Sequence, residues 1–500
     1  MRPGALIRLA FAGGRTDTLR VVLTAFSAML ATLAALAAAT VIAIPELANP
    51  MLTFPGGDSG LANNDVYRSA LLREPGLRPG VVIALVLLTI PVLTLAGQCG
   101  RLGAPARDRR LAAVRMAGAT PGQAVSLAAV ETGLASVLGV GAGFGVFFGG
   151  RRVLHRPDRD GRLSMPTDIL PSWPWLLAIA LGLPLAATLV AAVALRRVRV
   201  TPFGVVRARQ RQAPRPWPAF LIVPGVACFA AVQPIAWYAD RHDLDLPEAV
   251  PVALLFVGGL TALVGILLGT GWISHLAGLL LHRLARRPAA LLAGRQLLAD
   301  PWSGSRVFAA LLACVLVGGG AAGLRAWFVA DAANQEEYSR WSAAEHGYPY
   351  HPVGVDPFYL RTMDLVDAAV LVGLAIAALG LLVALAETIV AHRRTYASLV
   401  ASGVPRGVLA RSLLWQAVAP AVPAVALTLA VGLAIIRVMM SDTFGAGDSL
   451  LDPRFQRHVP IPFAQLGLFG GGAILAILAM TGVALLLLRP SVSTDELRTT

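Results

Sequence analysis

A membrane pattern that occurs twice constrains this chain more than any other feature. Apolar runs open at Arg20 and Arg306, and the apolar run at 81–97 is matched by the run at 366–382, about 285 residues later. Two basic segments follow these runs at the same spacing and align without a gap. A unit of this length is too long for a solenoid repeat. Internal symmetry on this scale is typical of duplicated membrane domains.

The composition agrees with a membrane protein and argues against several other classes. The chain is 56% hydrophobic and 14% charged, with a mean hydropathy of +0.68, whereas soluble domains carry about 25% charged residues. All 42 basic residues are Arg, but they are spread over short loops rather than grouped as in a nucleic-acid-binding surface. The three cysteines fall in or beside apolar runs, which argues against a disulfide framework. The spacing of His346 and His351 is poor for a closed metal site, so we expect no metal.

Ten apolar segments are long enough to cross a hydrocarbon core, which needs about 20 helical residues. They are 21–45, 81–98, 122–149, 173–195, 218–238, 249–274, 307–330, 366–390, 409–438 and 462–488. The predicted fold class is therefore an all-α polytopic membrane protein, with about ten transmembrane helices in two four-helix repeats plus a two-helix insert.

The arginines orient these spans. With both termini in the cytoplasm, about two thirds of the arginines face inwards, as the positive-inside rule requires. The loop that carries Arg151, Arg156 and Arg162 breaks the rule, because it lies outside in this orientation. The first apolar stretch is longer than the h-region of a signal peptide, so we expect an uncleaved first span.

Four regions follow from this arrangement. Residues 1–200 form the first repeat with an external segment at 46–80, and residues 201–290 form a cytoplasmic connector and the two-span insert. Residues 291–490 form the second repeat with an external segment at 331–365, and 491–500 form a cytoplasmic tail. Both external segments are too short for a large independent core and are expected to be small caps or partly ordered loops.

The two basic segments run from Arg109 to Pro121 and from Arg394 to Pro405. Residues 107–118 can form an amphipathic helix with apolar contacts on one side and arginines on the other. Gly118 followed by Thr120 and Pro121 is typical of a helix stop and a fresh helix start. Gly403 and Pro405 repeat that punctuation.

The first basic segment resembles the cytoplasmic signature of FtsX-type permeases of ABC transporters, a family that includes MacB-like and lipoprotein-releasing permeases. The matching residues are Arg109, Leu111, Ala112, Arg115, Gly118, Ala119, Thr120, Gln123 and Glu131. The chain departs from the family at Arg110, where a glutamate is usual. The second copy keeps Arg394, Ala397 and Gly403, and Thr395 again replaces the acid. The resemblance extends over both halves.

The resemblance implies a bacterial cell-membrane protein whose short cytoplasmic helices dock onto a separate ABC ATPase subunit, in two copies, which binds ATP and Mg. An extracytoplasmic partner is also compatible with this family. The residues expected to couple to the ATPase are Arg109, Arg110, Leu111, Val114, Arg115, Gly118, Thr120, Pro121, Arg394, Tyr396, Leu399, Gly403 and Pro405. The plainer interpretation is that both segments only anchor the topology.

The chain contains no Lys, so it has no Walker A motif. We therefore expect it to bind no cofactor and to be no enzyme by itself.

Among the polar residues within predicted spans are Glu131 and its repeat counterpart Gln416. Intramembrane acids are costly and are functional candidates by default. A structural hydrogen bond between helices is the alternative, and it is favoured because a proton relay would need an acid in both repeats.

The leading hypothesis is the permease subunit of an ATP-driven ABC transporter that exports or extracts an amphiphile, a lipid or a peptide antibiotic. One alternative is a non-translocating mechanotransmission subunit that regulates an extracytoplasmic partner. The other is a secondary transporter driven by an ion gradient, but the spans are poor in the polar groups that such a site needs.

Overall fold

The structure is a computed structural model that describes most of the helical part of the chain. The described residues are 15–45, 47–53, 59–62, 64–73, 120–196, 214–242, 249–346, 357–391, 393–440, 443–444 and 457–491, with single positions at 78, 81, 82, 85, 88, 92, 116, 350, 352 and 355. The chain divides into two compact units, one of residues 1–210 with 382–394 and the other of residues 211–381 with 395–500.

The first unit is built on three long helices. They are α1 (Arg15–Ile42), α3 (Pro121–Leu154) and α4 (Trp173–Arg196). Two short strands, β1 (Leu47–Thr53) and β2 (Ser59–Ala62), pair antiparallel, and a single helical turn follows as α2 (Ala70–Arg73).

Small residues allow α1 and α3 to approach closely. A Cβ atom added to Gly139 would lie 2.1 Å from the carbonyl oxygen of Ala25, and one added to Gly143 would lie 2.7 Å from Cβ of Thr32. Close backbone approach through small residues is a common way for membrane helices to associate. Five glycines recur in α3 at positions 139, 141, 143, 145 and 149, and of these only Gly139 and Gly143 contact α1. Gly141, Gly145 and Gly149 face open space.

Polar contacts join two segments of the first unit, residues 64–73 and residues 151–168. The Tyr67 hydroxyl donates to Asp168 at 2.9 Å, and the Arg68 guanidinium lies 3.0 Å from the Asp158 carboxylate. Burial and the hydrogen bond to Asp168 raise the pKa of the Tyr67 phenol. Arg151 donates to the Thr167 carbonyl at 2.7 Å. The arginine-rich loop therefore lies on the same side of the unit as residues 64–73, as the sequence-based orientation requires.

The second unit contains the remaining elements. They are the 3-10 helix η1 (Trp217–Leu221), α5 (Ile222–Arg241), α6 (Ala249–Leu284), α7 (Pro288–Ala299), α8 (Pro301–His346), α10 (Arg393–Ala401), α11 (Arg406–Met440), α12 (Phe463–Ser491) and the strand pair β3 (Thr443–Phe444) and β4 (Arg457–His458). Helix α9 (Pro357–Ala391) runs through the boundary between the units.

The all-α polytopic fold class is confirmed. In the described part of the chain, eight helices are long and apolar enough to cross a membrane, and a shorter apolar helix runs from Trp173 to Leu189. The predicted span at 81–98 lies almost wholly outside the described residues. The predicted boundary at residue 290 falls inside α7, so α7 crosses from the insert into the second repeat.

The segment at 331–365 was expected to be a cap or loop, but its first part is helical. Helix α8 has 46 residues and continues to His346, so it is about 69 Å long, more than twice the roughly 30 Å of a hydrocarbon core. Side-chain pairs one turn apart support the extension, because Arg340 binds Glu336 at 2.8 Å and Gln335 donates to Asp331 at 2.8 Å.

The second unit repeats the helix packing of the first. Helix α11 contacts α8 and α12, as α3 contacts α1 and α4. Glycines again mark the closest approach, since a Cβ atom on Gly432 would lie 2.6 Å from the Leu316 carbonyl oxygen and one on Gly318 would lie 2.9 Å from the Phe469 ring. The glycines occupy different positions in the two units, and the duplication itself remains a prediction.

Candidate functional site

The short helix α10 lies in the second basic segment and ends at a glycine that the backbone requires. The Gly403 amide donates to the Val400 carbonyl at 3.0 Å, and the Val404 amide donates to the Leu399 carbonyl at 3.0 Å. These two bonds define a Schellman motif, in which the residue after the helix adopts a left-handed conformation. Gly403 has φ +93°. The predicted stop at Gly403 is confirmed, and α11 begins directly after Pro405 at Arg406.

The inner face of α10 is buried in the second unit. Tyr396 is 2% exposed and Ala397 is 3% exposed. Burial raises the pKa of the Tyr396 phenol, and the side chain of Gln296 on α7, beside the hydroxyl, partly opposes that shift. Tyr396 is one of the residues expected to couple to the ATPase, and its side chain points into the protein. It is therefore placed to hold α10 in position rather than to offer a surface.

Gln296 also joins α7 to α11. Its side-chain oxygen accepts a hydrogen bond from the Gln416 amide. Helix α7 is itself held tightly, because a Cβ atom added to Gly294 would lie 2.9 Å from the His282 amide nitrogen, and Leu297 is 3% exposed. Gln296, Tyr396 and Gln416 thus form one polar cluster between α7, α10 and α11. We call this set of three residues the glutamine-tyrosine cluster.

The outer face of α10 is exposed and polar. Thr395, Ser398 and Ser402 are exposed at helical spacing, and Gly403 and Pro405 extend this surface beyond the helix end. Leu399 is only partly exposed, and Arg394 lies within the helix. A fixed inner face and an accessible outer face are the features that a docking helix needs.

The structure describes little of the first basic segment. Arg109, Arg110, Leu111, Val114, Arg115 and Gly118 lie outside the described residues. Met116 is helical and 85% exposed. Thr120 is the N-cap of α3, where its hydroxyl accepts from the Gln123 amide at 3.3 Å and its own amide donates to the Gln123 side chain at 3.0 Å. This capping box, with Pro121 in the first turn, confirms the predicted helix start.

The two intramembrane polar residues lie in different surroundings. Glu131 is 6% exposed on α3, whereas Gln416 is half-buried and bonded to Gln296. Sequence reasoning missed Gln296. The available signal was an amide residue beside Arg295 in the short, mostly apolar segment Leu291–Ala299.

The buried phenols predict a dependence of stability on pH. The Tyr396 pKa is raised above its ordinary value of 10.0, so the unfolded chain loses this proton at lower pH than the folded chain. Stability is then constant below about pH 10 and falls as pH rises through the folded-state pKa. Thermal unfolding in detergent between pH 9 and 11.5 measures this fall, and Tyr396→Phe should make it shallower. An identical slope in both proteins would contradict the prediction.

Residues 368–493 match the family model described as FtsX-like permease C-terminal. The match begins within α9 and includes the whole of α10, α11 and α12, so it contains the outer face of α10 and two members of the glutamine-tyrosine cluster. No curated protein matches the chain. The match covers 126 of the 500 residues. Together with the apolar helices, it supports an FtsX-like permease, a multi-pass membrane protein of the kind that serves ABC transporters.

Proposed function

We propose that this permease couples a separate ABC ATPase, in two copies that bind ATP and Mg, to the export or extraction of an amphiphile, a lipid or a peptide antibiotic. The chain itself supplies no ATPase motif, because it contains no Lys. The observation that carries the proposal is α10, whose inner face is fixed through Tyr396 while its outer face stays exposed. In this proposal both termini are cytoplasmic, and the segment Arg109–Pro121 is the second docking element.

The contacts of α10 provide a path for movement within the second unit. A displacement of α10 pulls on α7 through Tyr396 and Gln296, and on α11 through the four-residue turn at 402–405. Gln296 and Gln416 link α7 and α11 to each other. ATPase closure would therefore move a connected set of helices rather than α10 alone, because tightly packed elements transmit displacement.

One observation favours the alternative of a non-translocating mechanotransmission subunit. Helix α8 extends far beyond the length of a span, and the last turns of its apolar part, just before the extension begins, are fixed to α9. Arg325 binds Asp364 at 2.7 Å and Asp367 at 3.2 Å, and the rings of Phe328 and Tyr359 stack with centroids 4.4 Å apart. Such a rigid pair of helices could carry motion to an extracytoplasmic partner without moving a substrate.

The proposal is tested by recovering the tagged permease from its native membrane in mild detergent and identifying what copurifies. We expect stoichiometric recovery of a Walker-motif ATPase. Hydrolysis by the purified complex is then measured with candidate amphiphiles and peptide antibiotics, and transport into vesicles separates translocation from mechanotransmission. Reproducible recovery of intact permease without an ATPase would contradict the coupling role and favour a gradient-driven carrier.

A bulky residue on the outer face of α10 should block docking. Ser398 is exposed at the centre of this face. Ser398→Trp is expected to lower ATPase recovery at least fivefold, since forcing a large side chain into a well-packed contact costs about 1–3 kcal/mol. Ser172→Trp is the control, because Ser172 is an exposed serine directly before α4. Equal recovery with both variants would show that the ATPase does not use this face.

A further inference from the structure

An apolar groove of about 710 Å³ lies in the second unit between the end of α6 and the first half of α11. Its volume is in the range of small-molecule sites, which is about 300–1,000 Å³. Helix α6 contributes Leu280 and Leu284, which are 53% and 73% exposed, and α11 contributes Ala419 and Pro423. The groove is open along one side, so a long flexible chain can enter it from the bilayer.

Two cations close one end of this groove. Arg286 and Arg287 line it and are both exposed, and they follow directly on the last turn of α6, which carries Arg283. Among the described residues that line the groove there is no carboxylate. A guanidinium pair at the end of an apolar channel matches a phosphate joined to an acyl chain, because Arg binds phosphate oxygens in a bidentate manner.

An aromatic residue and α7 complete the groove. Trp415 lines it and is 45% exposed, and tryptophan is enriched where the apolar core of a membrane meets its headgroups. Ala290 places the start of α7 in the wall of the groove. Trp415 is the neighbour of Gln416, so an occupant would lie beside the glutamine-tyrosine cluster.

We propose that this groove binds an anionic phospholipid, with the headgroup phosphate on Arg286 and Arg287 and one acyl chain along Leu280, Leu284 and Trp415. The ligand proposed for this groove is thus a lipid of the surrounding membrane. The site does not depend on the ATPase, so it stands whether or not the coupling role of α10 is correct.

The test uses the purified full-length permease in phosphatidylcholine vesicles that contain increasing fractions of brominated lipid. Bromine on the acyl chain quenches tryptophan fluorescence at contact, and the difference between the wild type and Trp415→Phe isolates the signal of Trp415. We expect half-maximal quenching at a several-fold lower fraction of brominated phosphatidylglycerol than of brominated phosphatidylcholine. Arg286→Gln with Arg287→Gln should raise that fraction for phosphatidylglycerol several-fold, until it approaches the fraction for phosphatidylcholine, because the preference for the anionic lipid rests on these two charges.

The matched control is Arg156→Gln with Arg159→Gln, which removes the same charge from exposed arginines of the loop before α4. This variant should quench like the wild type. Ala419→Leu narrows the groove without changing charge and should weaken quenching by both lipids, with a monodisperse elution profile as the check on folding. Equal half-maximal fractions for the two lipids, or no change in the Arg286 and Arg287 variant, would overturn the proposal.

Discussion

Gly403→Val is expected to lower substrate-stimulated ATP hydrolysis by the permease complex roughly tenfold while membrane insertion is retained. The φ of +93° at Gly403 is costly for any residue with a Cβ atom, by about 1–2 kcal/mol per residue, and by more when the residue is β-branched. The Gly403→Val variant avoids this cost by losing the Schellman motif, which releases the end of α10 and the turn into α11. The outer face of α10 is then no longer held in a fixed position relative to α11.

Conservative variants separate this backbone effect from the bulk of the new side chain. A Cβ atom at Gly403 meets nothing within 4 Å, and the same is true at Gly407, where no positive φ is required. Gly407→Ala should therefore leave hydrolysis unchanged. Gly403→Asn should fall between the wild type and Gly403→Val, because Asn adopts positive φ more readily than β-branched residues do. Full stimulation in Gly403→Val would exclude the helix end as part of the coupling path.

The elements that sequence predicted well depend on local chemistry. The start of α3 at Pro121 follows from a threonine and a glutamine three residues apart, and the end of α10 follows from Gly403, because capping and positive φ are set by neighbouring residues. The spans followed from apolar length alone. The family match later covered the second basic segment, whose own motif was the weaker of the two.

The orientation of Tyr396 and its pairing with Gln296 could not be predicted in the same way. The apolar positions of α10, Tyr396 among them, share one side of the helix, but the hydroxyl of Tyr396 also suits a polar surface contact, so the segment alone did not decide its environment. Gln296 lies 100 positions away from Tyr396 and on a helix that the span count assigned partly to another region. Contacts of this kind depend on how α7 packs against α6 and α11.

Helix α8 is longer than predicted because side-chain pairs such as Glu336 and Arg340 stabilise a polar helix outside the apolar run.

The second large effect is expected at the glutamine-tyrosine cluster. Gln296→Leu removes the acceptor of the Gln416 amide and the partner of the Tyr396 phenol, and it keeps a side chain of similar size. A partly buried polar group that loses its partner costs about 1–3 kcal/mol. We expect a lower midpoint of thermal unfolding in detergent and a several-fold loss of ATPase stimulation, because α10 is no longer fixed to α7.

A double-mutant cycle decides whether the two glutamines act together. Gln416→Leu alone leaves the Gln296 oxygen without its donor, whereas Gln296→Leu with Gln416→Leu replaces both partners by apolar groups. If the hydrogen bond between them is what joins α7 to α11, the double variant should be no less stable than either single variant, with a coupling energy in the range of about 0.5–3 kcal/mol. Arg295→Leu is the control, since Arg295 is the exposed neighbour on the same helix. Strictly additive losses would mean that Gln296 and Gln416 stabilise their own helices separately, and the path from α10 to α11 would then run through the turn at Gly403 alone.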